Sequence, residues 1–419
     1  MKGMAAGVAA ATGISASSSA RSASGKPTGE PIVIGLTISQ TAAAGVADHH
    51  DYLNGSTLAM EEINAAGGIL GRPLKFQITD VDLLNAESCQ AAVRNLVDAK
   101  VHAISSAFLF VPIPAMDASV AYGCPYVNGN TQRAAADLVA AHPEKYGNVF
   151  QMDPSEVYYG LTFPKFLEDL EKSGAWKPRN NKVHIVQEQV AYCQTISKSC
   201  QQALKNSKFE LAGITDIQYP VQDWGPVIQD IKRIGAGTVM VDHWVAAEYA
   251  AFVKQFRSNP LKDTLVYLQY GPSQPEFLQL AGKAAEGFVW STVLGVYDDE
   301  KGHAFREKYK KRFPGKVMGL CYTGGGYDTT YMLKEVWEKT GKPEDFKANC
   351  EALRQTAFRG VCGWSIMDNK RQEAVQYPVG TPDLNKGMSQ LYFQVQNHES
   401  KIFYPFPLKQ TEFKTVPWA

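Results

Sequence analysis

Residues 54–82, NGSTLAMEEINAAGGILGRPLKFQITDVD, constrain the fold of this 419-residue chain more than any other stretch. They spell a helix, a glycine stop and a strand. Ala59, Met60, Ile63 and Ala66 share one helical face, and Glu61, Glu62 and Asn64 take the other. Gly67 and Gly68 follow where a helix needs a residue tolerant of positive φ to end, and Pro73 forbids its continuation. Leu74, Phe76 and Ile78 then alternate with Lys75, Gln77 and Thr79, the period of a strand with one buried face. The strand closes on Asp80 and Asp82, which read as strand-end caps. Such a unit belongs in an α/β fold.

The same alternation runs along the chain. Further strands are expected at residues 32–36, 102–106 and 125–127, with helices at 91–97 and 112–120. Residues 37–51 read as a polar, alanine-rich loop ending in Asp48-His49-His50-Asp51. After a crossing at residues 150–154 the pattern restarts. Strands are expected at 183–187, 214–219, 238–241, 265–270 and 288–293, and helices at 195–204, 224–234 and 246–257. Residues 288–293 also serve as the return crossing. Helices at 303–313 and 327–340 then lead back to the first unit, and 391–395 and 401–406 are strand-like. Strand–helix alternation of this kind makes parallel sheets covered by helices on both faces.

The wording is narrower than the pattern. Asn54-Gly55, a helix closing on Ile63-Asn64, then Gly67-Gly68-Ile69 and Gly71-Arg72 before a strand ending in Asp resembles the start of a type I periplasmic solute-binding protein. More narrowly it resembles the branched-chain amino-acid and amide-binding family of ABC importers, and the likeness runs from Ile32 to about Phe406. The resemblance implies two Rossmann-like lobes of the periplasmic binding protein type I fold, joined by a three-strand hinge whose third crossing falls within residues 363–391. Lobe one would comprise residues 31–151 and 294–375, and lobe two residues 152–293 and 388–419. It implies a periplasmic, monomeric receptor that closes on a small organic solute (an amino acid, an amide or an aromatic carboxylate) and delivers it to a membrane permease. The alternative is a ligand sensor of the same fold with no transport role. Neither is an enzyme, and no cofactor, metal or nucleic-acid partner is expected.

Composition agrees. Lys plus Arg and Asp plus Glu each number 42, so the basic excess of a nucleic-acid binder is missing. No apolar run reaches the roughly 18 residues of a membrane-spanning helix. Residues 1–30 are Ala, Gly and Ser with few large apolar residues. They resemble the back half of a twin-arginine export signal, with cleavage near residues 15–20; the alternative is a disordered tail. There are seven cysteines and no C-x-x-C. Cys193/Cys200 and Cys350/Cys362 are the nearest pairs, and disulfides and buried free thiols both remain open. No P-loop occurs, Gly235-Ala236-Gly237 precedes a strand, Gly363-Trp364-Ser365 falls short of a nucleophile elbow, and His49-His50 lacks metalloprotease spacing.

Ligands in doubly wound sheets bind beyond the carboxyl ends of strands, and a cleft between lobes collects such loops from both sides. The candidates follow from that rule and from the resemblance. Thr131, in the turn Gly129-Asn130-Thr131, matches the family's threonine, which implies a hydroxyl aimed at a ligand carboxylate; an N-cap role for it is the alternative. Phe108 and Phe110 stand where the family carries serines, either as pocket wall or as core, and Ser105 and Ser106 could supply the lost hydroxyl. Tyr192 matches the family's ligand-contacting tyrosine, Trp244 an aromatic lid, and Tyr327 a further wall aromatic. Tyr270 takes the position where amino-acid binders carry a glutamate for the ligand ammonium. Asp48, Asp51, Glu188 and Asp242 are the acids that could do that glutamate's work from elsewhere.

Overall fold

Two sheets organise the chain in the computed structural model, which describes residues 26–42 and 45–418. The first contains β1 (Ile32–Ile38), β2 (Leu74–Asp80), β3 (Ala103–Ser106), β4 (Tyr126–Asn128) and β5 (Val149–Gln151). All pair in parallel, in the order β2-β1-β3-β4-β5. Helices α1 (Val46–Ala65), α2 (Ala86–Asp98), α3 (Ile113–Val120), α4 (Arg133–Ala141) and the single turn α5 (Pro143–Tyr146) connect them. The strand order reverses between β1 and β3, so the loops after these two strands flank a crevice at the carboxyl edge.

The chain then passes through α6 (Val157–Lys172) into the second sheet. Strands β6 (Lys182–Glu188), β7 (Glu210–Ile217), β8 (Thr238–Asp242), β9 (Leu265–Gln269) and β10 (Val289–Thr292) alternate with α7 (Ala191–Leu204), α8 (Gly225–Ile234), α9 (Ala246–Ser258) and α10 (Pro275–Ala281). Every residue of β8 and β9 is buried, which is why these strands read as unbroken apolar runs. After β10 the chain returns through α11 (Glu300–Arg312), α12 (Tyr322–Thr340) and α13 (Phe346–Arg354) to pack on the first lobe. A hairpin, β11 (Ala357–Gly360) with β12 (Gly363–Ile366), and the short parallel pair β13 (Gln376–Tyr377) and β14 (Met388–Ser389) follow. Finally β15 (Leu391–Gln396) and β16 (Glu399–Tyr404) complete the second sheet in the order β16-β15-β10-β9-β8-β6-β7, with β15 antiparallel to β10.

Several sequence expectations are corrected. The loop expected at 37–51 is helical from Val46, so Asp48, His49 and Asp51 are buried on the first turns of α1. Polar residues in a buried helix turn leave no apolar stripe to read. On β2 only Leu74 is fully buried and Ile78 is exposed, because this strand forms the sheet edge. The strand expected at 288–293 is β10, Val289–Thr292. Helix α6 escaped detection; it carries Pro164 in its interior. All seven cysteines are free and buried. Cys193 and Cys200 lie two turns apart on α7, about 10 Å along the axis, beyond disulfide reach.

Helices α1 and α12 touch backbone to backbone. A Cβ at Gly55 would sit 1.8 Å from the Thr323 carbonyl oxygen, and one at Gly326 would sit 2.1 Å from that of Tyr52. Among the described residues no helix is long and apolar enough to cross a membrane. The export-signal reading falls on residues 1–30, of which 1–25 lie outside the described residues.

Candidate functional site

A cavity forms where strand-end loops of both sheets meet. Phe108 and Phe110 follow β3, Asn130, Thr131 and Gln132 follow β4, and Tyr322 opens α12. From the other side come Tyr192 after β6, Trp244 after β8, Tyr270 after β9, and Val293 and Leu294 after β10. Tyr159 of α6 and Cys321 complete the lining. No Asp, Glu, Lys, Arg or His belongs to it.

Four helices begin at this cavity. Gln132 is the N-cap of α4, Cys321 is that of α12, Tyr192 sits in the first turn of α7, and Trp244 directly precedes the N-cap of α9. None of the four N-caps makes a side-chain capping bond. Helix starts present their first N–H groups and the positive end of the helix dipole; in α4 the first of these, from Arg133, already donates to the Glu156 carboxylate at 2.6 Å. The cavity therefore gathers four helix starts with no charged side chain in its lining, an arrangement that suits an anion.

Neutral donors add to this. The Asn130 side-chain oxygen accepts from the Leu109 N–H at 2.6 Å, which fixes the amide orientation and leaves Nδ2 free. That Nδ2 and the Trp244 indole Nε1 are buried donors without a protein partner. Leaving such groups unpaired costs on the order of 1–3 kcal/mol each. Two lining residues hold left-handed backbones, Thr131 at φ 48° and Tyr270 at φ 54°. A β-branched or bulky residue resists that conformation, and strain of this kind gathers at functional sites. Thr131 is pinned by its carbonyl, which accepts from the Glu156 N–H at 2.6 Å. It is not the N-cap of α4; Gln132 is.

Aromatic rings link the lobes. Tyr270 meets Tyr322 edge-on at 6.2 Å, Tyr322 stacks on Phe108 at 5.3 Å, and Phe108 meets Phe110 edge-on at 5.5 Å. Phe110 then reaches Trp244 at 5.0 Å and Tyr192 at 6.3 Å. Tyr322 donates to the Gly129 carbonyl at 3.1 Å, and Gln269 donates to the Tyr192 hydroxyl at 2.9 Å. The remaining space is about 20 Å³, room for about one water. Seating anything larger requires the lobes to part or the rings to turn.

Behind this wall the lobes share one carboxylate. Asp48 of α1 accepts from the Tyr270 hydroxyl at 2.5 Å and from the Gln274 side-chain amide at 2.7 Å, both beyond β9. Burial pushes its carboxyl up to about 7, against the pull of those two bonds. Burial, then the neighbouring Asp48 charge, lifts Asp51 to about 7 as well. Asp153 and Asp242 are buried with both oxygens unpartnered, and burial holds each well above the ordinary carboxylate range. Glu188 accepts from the Val190 N–H at 3.1 Å.

Phe108, Phe110, Asn130, Thr131, Tyr192, Trp244 and Tyr270 are brought together as expected, and Gly129 braces them through Tyr322. Tyr327 is not. It faces the outer side of α12, where its hydroxyl donates to Glu62 at 2.8 Å. Tyr322, five residues earlier, supplies the wall aromatic instead. The run Gly324-Gly325-Gly326 concealed it, reading as a loop before a helix that in fact begins at Tyr322.

The chain is similar to known proteins over nearly its whole length. A structure assigned to a branched-chain amino acid ABC transporter of Silicibacter pomeroyi superposes with a TM-score of 0.87 at 29% identity, covering 93% of this chain and 100% of that one. A leucine-, isoleucine-, valine-, threonine- and alanine-binding protein of Pseudomonas aeruginosa is 22% identical over 345 residues, 80% of this chain and 86% of the relative. A solute-binding protein of R. palustris in complex with benzoate shares the fold at a TM-score of 0.67 and 14% identity, covering 92% and 99% of the two chains. The periplasmic binding protein family matches residues 31–378, and this chain belongs to it.

Proposed function

We propose that this protein is the extracytoplasmic substrate-binding component of an ABC importer, and that it closes its lobes on a small organic anion with a flat, unsaturated body. The observation that carries the reading is the cavity lining: seven aromatic rings from both lobes, four helix starts without a side-chain N-cap bond and no charged side chain. A zwitterionic amino acid buried there would bring an ammonium with no carboxylate to meet it, and an unpaired buried charge is very costly. A carboxylate alone meets Thr131, Asn130 Nδ2, Trp244 Nε1 and helix N–H groups. Its flat body stacks on the rings, at about 0.5–1.5 kcal/mol per pair beyond burial. The moving parts in this reading are residues 31–151 with 294–375, and 152–293 with 388–419. Ligand contacts from both sides favour the closed form. The protein works in the periplasm, hands its cargo to a membrane permease and performs no covalent chemistry.

Calorimetric titration with two panels tests this: aromatic carboxylates against leucine, isoleucine and valine. Binding of the aromatic panel with weak or no binding of the aliphatic one is expected. Micromolar or tighter leucine binding with none for any aromatic acid would overturn it.

A further inference from the structure

The turn that carries Thr131 is held from outside its own loop. Glu156 stands at the N-cap of α6, on the passage that takes the chain from the first sheet to the second. It grips the turn at two points. Its N–H donates to the Thr131 carbonyl at 2.6 Å, and its side-chain Oε2 accepts from the Arg133 N–H at 2.6 Å. The two contacts straddle Gln132, the N-cap of α4, whose own side chain makes no capping bond. That side chain is engaged elsewhere. Its amide donates to the carbonyls of Leu109 at 3.1 Å and Phe110 at 3.4 Å, which ties the turn to the aromatic loop after β3.

Thr131 needs such a grip. Its φ of 48° lies in the left-handed region, which a β-branched residue adopts only where its surroundings impose it. The Arg133 guanidinium pairs with Glu373 at 3.2 Å, and the same Glu373 carboxylate accepts from the hydroxyl of Ser155, the neighbour of Glu156. Glu373 lies on a later passage between the sheets, after β12, and forms a parallel bridge with Gln151 at the end of β5. The Gln151 N–H donates to the Gln372 carbonyl at 2.8 Å, and the Gln151 carbonyl accepts from the Ala374 N–H at 2.9 Å. Glu156 and Glu373 are both buried. Burial raises each carboxyl above its ordinary range, so each is kept against a free-energy cost.

We propose that Glu156 is a positioning residue for ligand capture: it holds the turn at residues 131–133 in the shape that presents the Thr131 hydroxyl to the cavity, and Arg133 and Glu373 tie that clamp to two passages between the sheets. Glu156 is absent from the cavity lining and acts through Thr131. In the closure mechanism proposed above, the passages that flex are the ones that carry the residues shaping the binding turn. The inference rests on the interlobe cavity being the ligand site, and adds to that reading a residue that sets how well the site is formed.

A double-mutant cycle tests it, read by calorimetric titration of the full chain with benzoate, the simplest aromatic carboxylate. Glu156→Ala should weaken binding about fivefold or more, because the Arg133 N–H loses its acceptor and the turn relaxes. Glu156→Gln keeps an acceptor oxygen there and should recover most of that loss. In a Thr131→Ala background the Glu156→Ala factor should shrink to within about twofold, since no hydroxyl remains to be placed. A role confined to stability would lower affinity by the same factor in both backgrounds, or lower only the urea midpoint; either result overturns the proposal. If Glu156→Ala does not fold, Glu156→Asp, which draws the carboxylate back by one methylene, takes its place in the cycle under the same criteria. Equal factors in both backgrounds, with Thr131→Ala itself weakening benzoate, overturn the positioning role and leave the transport reading standing. Leucine bound in place of benzoate overturns the proposed ligand class, and the same cycle run with leucine then decides Glu156. A wild type that binds neither overturns both.

Discussion

Acidification should tighten ligand binding through Asp48. In the closed form this carboxylate is buried and bridges the lobes to Tyr270 and Gln274. In the proposed closure mechanism, parting the lobes would remove both partners and return it to water. Its pKa is then about 7 closed against an ordinary 3.8 open. Because the closed value is the raised one, its contribution to closure is full below about pH 3.8 and is lost as pH rises through about 7. Between pH 8 and pH 6 the closure constant should rise about tenfold, or about 1.4 kcal/mol, with uptake approaching one proton. Asp51 titrates in the same range but faces Gly319 and Thr323 of its own lobe, and so adds little to the difference. Asp48→Asn should flatten the profile. Its amide can donate to the Tyr270 oxygen and accept from Gln274, as a protonated carboxyl would. Titration of an aromatic carboxylate in buffers of differing ionisation enthalpy reads both affinity and proton uptake. A wild-type affinity flat from pH 8 to pH 6, or an unchanged slope in Asp48→Asn, would refute the coupling.

Thr131→Ala keeps a Cβ on the left-handed backbone and removes only the hydroxyl, so folding should be unchanged while affinity for a carboxylate falls by roughly 1.5–3 kcal/mol. Binding within twofold of the parent by calorimetry would take Thr131 out of the site. Gly55→Ala should destabilise the fold by roughly 1–3 kcal/mol or more, since the added methyl meets the Thr323 backbone at 1.8 Å and no rotamer can relieve it; a urea midpoint equal to the wild type would contradict the helix contact.

Strand positions were legible because β1, β6, β8 and β9 are buried and bear apolar runs. Once strand ends are known, the aromatic residues beyond them become candidates, and the family resemblance singles out Tyr192, Trp244 and Tyr270 among them. The rest was hidden for physical reasons. The start of α1 is polar because it lies buried behind the cavity wall, where the Asp48 carboxylate meets Tyr270 and Gln274. The first turns of α12 carry three glycines, of which Gly326 meets the α1 backbone at Tyr52 while Gly324 and Gly325 meet the side chains of Cys362, Val296 and Leu294, and glycines in that role look like a turn. The register of one aromatic, Tyr322 against Tyr327, was lost with it. Nothing in a linear pattern distinguishes two tyrosines five residues apart when the helix boundary between them is misread. The free donors Asn130 Nδ2 and Trp244 Nε1 depend on which neighbours are absent, which only coordinates reveal.

The helix starts at the cavity have a consequence for the medium the protein works in. An anion gripped by lysines is loosened by salt, because mobile ions screen exposed charges within about 10 Å at moderate ionic strength. Peptide dipoles sealed in a cavity offer those ions nothing to screen. Capture on the proposed terms should be nearly indifferent to whether the surroundings are dilute or saline. In the proposed mechanism release follows as directly: when the cleft opens, water would take over each N–H in turn, with no cation in the lining to pull the cargo back.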